Sequence, residues 1–273
     1  MLALAVIAGV LVGLSLGALG GGGSILAVPV LVYLLDQTPA AATTGSLLIV
    51  GISAVSGAVV AWRAGNVYLA RGVAFGLLGM AGAAAGATLS VHVAPDLLLT
   101  LFAALMLVVA AVMLVRQLHG RGSARRSVPA PHLDDPIIRV SPTFMCNCPV
   151  AAKVAVTALL VGLLTGFFGV GGGFLAVPAL VLALGLPMPV AAGTSLVVIT
   201  INSAAAFVTR VGAGVHVDWV PVLALTVAAI AGSLAGARLA GRLDPRATGL
   251  AFSVLLVAIA SYTAAQSIPA LVS

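Results

Sequence analysis

Residues 17–50 read GALGGGGSILAVPVLVYLLDQTPAAATTGSLLIV, and residues 166–200 read GFFGVGGGFLAVPALVLALGLPMPVAAGTSLVVIT. Slid by 149 residues, Gly20 meets Gly169, Gly22 and Gly23 meet Gly171 and Gly172, and Leu26-Ala27-Val28-Pro29 meets Leu175-Ala176-Val177-Pro178. The register holds outward on both sides. Gly13 and Gly17 meet Gly162 and Gly166, and Ser46-Leu47 meets Ser195-Leu196. With one further residue of shift, Gly82 and Gly86 meet Gly232 and Gly236, and Phe102 meets Phe252. A shared glycine cluster followed by Leu-Ala-Val-Pro in near-gapless register marks an internal duplication. The halves are residues 1–116 and 150–273, joined by a polar, basic, proline-containing linker at 117–149.

The solvent of this chain is lipid. Of 273 residues, 62% are hydrophobic and only 7% charged, with a mean hydropathy of +1.27. A soluble domain carries about 25% charged residues, so this chain lacks the charge to cover a water-facing surface. The acids are all aspartate (Asp36, Asp96, Asp134, Asp135, Asp218 and Asp244), at the edges of apolar runs or in the linker. The net charge of +6 therefore describes loops and gives no nucleic-acid surface. The apolar N-terminus has no basic stretch ahead of it and reads as a first membrane segment.

Each half contains five apolar runs: about 2–19, 24–35, 41–62, 68–91 and 97–115, then about 152–168, 173–184, 190–210, 219–240 and 247–266. A spanning helix needs about 20 residues. The second run of each half is too short and is expected to be a short or re-entrant element after a glycine-rich break. Arg116, Arg121, Arg125, Arg126, Arg139 and Lys153 make the linker cytoplasmic by charge. Alternating outward places both termini outside. Arg63 and Arg71 then fall inside, as do Arg238, Arg242 and Arg246, while their repeat counterparts lie outside in loops without this bias. Opposite charge bias in matched loops predicts inverted-topology repeats. The expected fold is an all-α polytopic membrane protein, multi-pass in a cell's inner membrane. Arg210 is the one basic residue on the predicted outer side. It is expected to snorkel to the interface, or else to draw anions to the outer mouth. Trp62 and Trp219 are expected in the interfacial aromatic belt.

Broken backbone at membrane depth must be buried in protein or line a wet cavity. A short helix that starts at such a break aims its positive end into it, which favours an anion. Downstream, Ser46 and Ser53 share a helix face, and Ser195 and Asn202 repeat the spacing. Neutral donors of this kind hold an oxyanion without a buried charge. No carboxylate lies within an apolar run, which disfavours a cation cage or an acidic proton relay. The candidate binding residues are Gly22, Gly23, Ser24, Ser46, Gly172, Gly173, Thr194, Ser195 and Asn202. No P-loop appears, and neither an enzyme activity, a metal nor a cofactor is expected. The glycine stripes at 9, 13 and 17, 82 and 86, 162 and 166, and 232 and 236 are read as helix-packing faces.

The duplicated glycine cluster with Leu-Ala-Val-Pro, and Gly-Thr-Ser-Leu at 193–196, resemble the sulfite exporter family of the TauE/SafE type over nearly the whole chain outside the linker. The resemblance implies transport of sulfite, thiosulfate, sulfoacetate or related organosulfonates and small carboxylates across the bacterial inner membrane. The expectation is a secondary transporter, an exporter working by alternating access. Its partners are a small anionic substrate and the bilayer, with no nucleic acid. Proton coupling through the substrate itself is compatible with the sequence, and the oligomeric state is left open. Two other readings stand beside it. One is an uptake carrier for a cation or neutral solute. The other is a membrane sulfur relay using Cys146 and Cys148, although a lone C-x-C is too few ligands for a closed metal site.

Overall fold

The computed structural model describes residues 2–119, 148–171, 173–212, 217–240 and 245–272. Gly172, Cys146 and most of the linker lie outside the described residues. The described chain is helical. Half one has α1 (Leu2–Leu19), α2 (Gly22–Pro29), α3 (Pro39–Arg63), α4 (Leu69–Ser90) and α5 (Pro95–His119). Half two has α6 (Cys148–Phe168), α7 (Gly173–Ala183), α8 (Met188–Gly212), α9 (Trp219–Ala240) and α10 (Pro245–Val272). Helices α3, α4, α8 and α9 are each long and apolar enough to cross a membrane, and shorter apolar stretches lie in the others.

Local chemistry sets the boundaries. Proline opens α3, α5 and α10, where its missing N–H costs nothing. The Thr38 side chain caps α3 by accepting from the Ala41 N–H at 3.4 Å. The expected short elements are short: α2 has eight residues and runs on through five of π type (Val30–Leu34), and α7 has eleven. At about 1.5 Å per residue neither reaches across a bilayer. Both stop by the same left-handed turn. Asp36 (φ 50°) and Gly185 (φ 64°) occupy matched positions. The next residue donates six back, from Gln37 to the Leu31 carbonyl and from Leu186 to the Leu180 carbonyl, so carbonyls near each helix end are satisfied across the turn. Half one differs in its π-type turn after Pro29, whereas α7 stays α-helical around Pro178.

The two most extensive seams join the halves: α1 lies on α9, and α4 lies on α6. Under the repeat register these pairs exchange. The stripes make the seams. Gly13 sits on Ala229 and Gly162 on Gly79. Gly17 sits against Ser233 and Ala237, and Gly166 against Ala83 and Ala87. A methyl group at any of these four glycines would overlap backbone of the facing helix. Close backbone approach through small residues is how helices associate where lipid supplies no hydrophobic drive. The repeat partners α3 and α8 cross in the centre as antiparallel helices, Gly57 against Leu196 and Gly51 against Ser203.

The surface is apolar, with Val208 71% and Val227 70% exposed. That is the face of a multi-pass membrane protein. Trp62 is exposed near the end of α3, and Trp219 at the start of α9. The main core gathers Phe75, Phe102, Phe168 and Phe252 with Leu and Ala from both halves.

Candidate functional site

The chain breaks at Gly20–Gly21 and at Gly169–Gly171. Gly20 (φ 70°) and Gly169 (φ 65°) are repeat partners in the left-handed region, open to glycine at little cost. Each is pressed into the first turns of the other half's long helix, Gly20 against Ala192 and Gly169 against Thr43. A hydroxyl closes each contact: Ser195 donates to the Gly20 carbonyl, and Ser46 to the Gly169 carbonyl. Both serines also approach a carbonyl of their own helix, Ala192 at 2.7 Å and Thr43 at 3.0 Å. The single proton of each hydroxyl is thus directed at carbonyls, and each serine is a clasp between halves.

Gly22 and Gly23 belong to the first turn of α2, and Gly173 opens α7, so the unwound backbone lies just ahead of them. The two breaks touch, since a Cβ on Gly21 would collide with the Gly173 carbonyl. The buried N-termini of α2 and α7 therefore meet, and in the first turn of α2 the Ser24 N–H turns back to the Gly21 carbonyl at 3.2 Å. Ser24 donates to the Gly21 carbonyl at 2.6 Å, and a Cβ on Gly173 would lie 2.9 Å from its oxygen. Thr194 accepts from the Tyr68 N–H at 3.1 Å, tying α8 to the loop before α4.

Asn202 is 1% exposed, and neither its amide oxygen nor its nitrogen has a partner. It faces Gly79 of α4. Its repeat counterpart Ser53 also has an unpartnered, buried hydroxyl, on the opposite flank beside α9, where Ser233 donates to the Ser53 carbonyl at 2.8 Å. Ser203, not anticipated from sequence, also has an unpartnered buried hydroxyl and sits beside Gly171. The eight described candidate residues thus do not form one cluster. Ser24, Gly173 and the first turn of α2 surround the break, Ser46 and Ser195 clasp its two ends, and Asn202 stands to one side. A crevice of about 260 Å³ between α3, α4 and α8, lined by Val55, Val59, Trp62, Val73 and Thr200 among others, is almost wholly apolar and suits a hydrocarbon chain.

Arg210 departs from expectation. It does not snorkel: it is 3% exposed. Its guanidinium donates to Thr43 Oγ1 and Ser90 Oγ, both at 2.7 Å, and to the carbonyls of Gly166 at 2.9 Å and Phe167 at 3.0 Å. The position on α8 is set so that the side chain reaches the start of α3 and the ends of α4 and α6. Thr43 can accept because its own proton serves the Pro39 and Ala40 carbonyls. Sequence offered one signal, an arginine on a predicted spanning segment.

Comparison with known proteins agrees with this architecture. Residues 5–263 match the family described as sulfite exporter TauE/SafE. The chain belongs to the TauE/SafE sulfite exporter family. A Xylella fastidiosa (strain Temecula1) protein named "Probable membrane transporter protein" is 35% identical over 271 residues, covering 97% of this chain and 95% of that one. Bacillus subtilis (strain 168) has a protein of the same description, YunE, 27% identical over 262 residues, covering 93% and 94%. No solved structure matches. The chain is a membrane transporter of this family, not an enzyme.

Proposed function

We propose that this transporter moves small sulfur-containing oxyanions, organosulfonates or carboxylates out of the cell by alternating access, across the inner membrane. The linker is cytoplasmic and both termini are outside in this reading. One observation carries the choice of an anion: two buried helix starts meet at Gly21 and Gly173, with the unpartnered Ser203 hydroxyl beside the second break. Two positive helix ends favour negative charge. The described carboxylates Asp36 and Asp218 are exposed, so neither offers a cation a ligand at depth. The inverted-repeat relation is part of the proposal. It draws support from the antiparallel α3–α8 crossing and from the exchange of the α1–α9 and α4–α6 seams.

The test is thermal stabilisation of the purified protein by sulfite, thiosulfate, sulfoacetate, acetate, sulfate and chloride, with choline and glycerol as cationic and neutral controls. A ligand of the folded state stabilises by mass action. The expected result is a shift with one or more sulfur oxyanions that is lost in Ser203→Ala and Asn202→Ala. A shift with choline or glycerol alone overturns the choice of cargo.

A further inference from the structure

Arg210 carries a full charge into the interior, and all four of its acceptors are neutral. Its Nε–H is buried without a partner. Asp36 and Asp218, the carboxylates whose side chains are described, are exposed, and neither bonds to it. Burying a cation with no counter-charge is costly. The terminal carbonyls of α6 return only part of that cost.

The arrangement is also one-sided. Arg210 falls on Ala61 under the repeat. Thr43 and Ser90 fall on Ala192 and Ala240, and Gly166 and Phe167 on Gly17 and Ala18. The serine clasps occur at both ends, but the charged tie occurs at one. It binds four helices: α8 to the start of α3 and to the ends of the glycine-sealed pair α4 and α6. The clasp of Ser46 on Gly169 lies in the same place, next to Thr43.

We infer that Arg210 is a charge-selecting latch. It closes this end of the path on neutral oxygens when no cargo is present, and the negative charge of an arriving oxyanion draws it off them. An anion offers the guanidinium stronger, charge-assisted bonds than hydroxyls and carbonyls do, and the free Nε–H gives the first contact. A neutral solute of the same shape gives no such exchange, so selection for charge and opening are one event. This inference rests on the anion reading above and adds to it the residue that senses charge.

The experiment uses the full chain in liposomes, in a Cys146→Ser/Cys148→Ser background with Val93→Cys as reporter in the half-buried loop after Ser90. Labelling by an impermeant maleimide is followed with sulfoacetate, acetate or glycerol present, none of which reacts with the reagent. Effective anions are expected to raise the labelling rate several-fold, and glycerol is not. Arg210→Gln is expected to label fast whatever is added. Thr43→Val/Ser90→Ala, which keeps the charge and removes neutral partners, labels fast without anion yet still shows the anion-dependent thermal shift. Arg210→Lys keeps a weakened anion response, which guards against a variant that merely misfolds. Asp96→Asn should behave as wild type. If it abolishes the response as Arg210→Gln does, a resident carboxylate neutralises the arginine and the latch falls. An anion-induced thermal shift in wild type that survives Arg210→Gln unchanged sinks the latch alone. No anion response by either readout in wild type sinks both readings.

Discussion

Ser195→Ala tests the clasp between the halves most directly. Ser195 is fully buried, and its hydroxyl is the link from α8 to the Gly20 carbonyl at the first break. Alanine leaves the fold of α8 unstrained and makes a void smaller than a methyl group. The Ala192 carbonyl, which Ser195 also approaches at 2.7 Å, sits inside α8 and keeps its helical N–H. The Gly20 carbonyl loses its partner from the other half. A buried acceptor deprived of a bond costs about 1–3 kcal/mol. Ser46→Ala removes the equivalent bond to Gly169 and should cost a similar amount. The two clasps share no partner, so the double variant should show the sum to within about 0.5 kcal/mol. Thr200→Ala is the control. Its hydroxyl returns to the Leu196 carbonyl of its own helix at 2.9 Å, a bond that adds little to helix stability, and the change should stay within about 0.5 kcal/mol. Unfolding in mixed micelles, followed by circular dichroism, gives all four values. Losses below about 0.5 kcal/mol for both serines would refute the clasp and with it the view that the breaks are held by the opposite half.

Other expectations follow from the same geometry. Gly166→Val puts a branched side chain on the Ala83 backbone and should cost about 1–3 kcal/mol or more, with Gly17→Val matching it on the α1–α9 seam; stability close to wild type in either would contradict the packing. Asn202→Leu replaces an unpartnered buried amide by a side chain of similar size. It should raise stability by about 1 kcal/mol while abolishing the anion-induced thermal shift, and a destabilised variant would mean that the amide has partners within the protein. The two tryptophans are both exposed at helix ends, so lipids brominated near the headgroup should quench their fluorescence more than lipids brominated near the chain terminus, and the reverse order would displace them from the interface.

Hydropathy and glycine pattern made the helices legible because both are local. Lipid length fixes how long a run must be, and Pro39, Pro95 and Pro245 mark starts by their own chemistry. The offset that pairs Gly20 with Gly169 located both breaks. It could not reveal what the clasping hydroxyls touch. Ser46 and Ser195 stand out in sequence as repeated hydroxyls in apolar surroundings, and only the fold shows their protons spent on carbonyls 123 and 175 residues away. Repetition also hid a residue. Ser203 aligns with Ala54, so a search for what the halves share passes over it, and Arg210, which aligns with Ala61, stood out only as a charge on the wrong side. The burial of Arg210 is non-local as well, since it depends on the ends of α4 and α6 closing around one side chain of α8.

The glycine seams bear on how such a chain is made. The broadest contacts of α1 and α4 are with α9 and α6, which leave the ribosome later. While the first half is being inserted, its small-residue stripes face lipid with no mate. They close only when the second half arrives, so assembly is not finished sector by sector. On the inverted-repeat reading proposed above, a half-length ancestor with the same faces would have met the same need by pairing two identical chains inserted in opposite orientations. Fusing the two genes then frees each copy to change alone, and an arginine facing four neutral oxygens at one end only is the kind of difference that a symmetric pair could never have acquired.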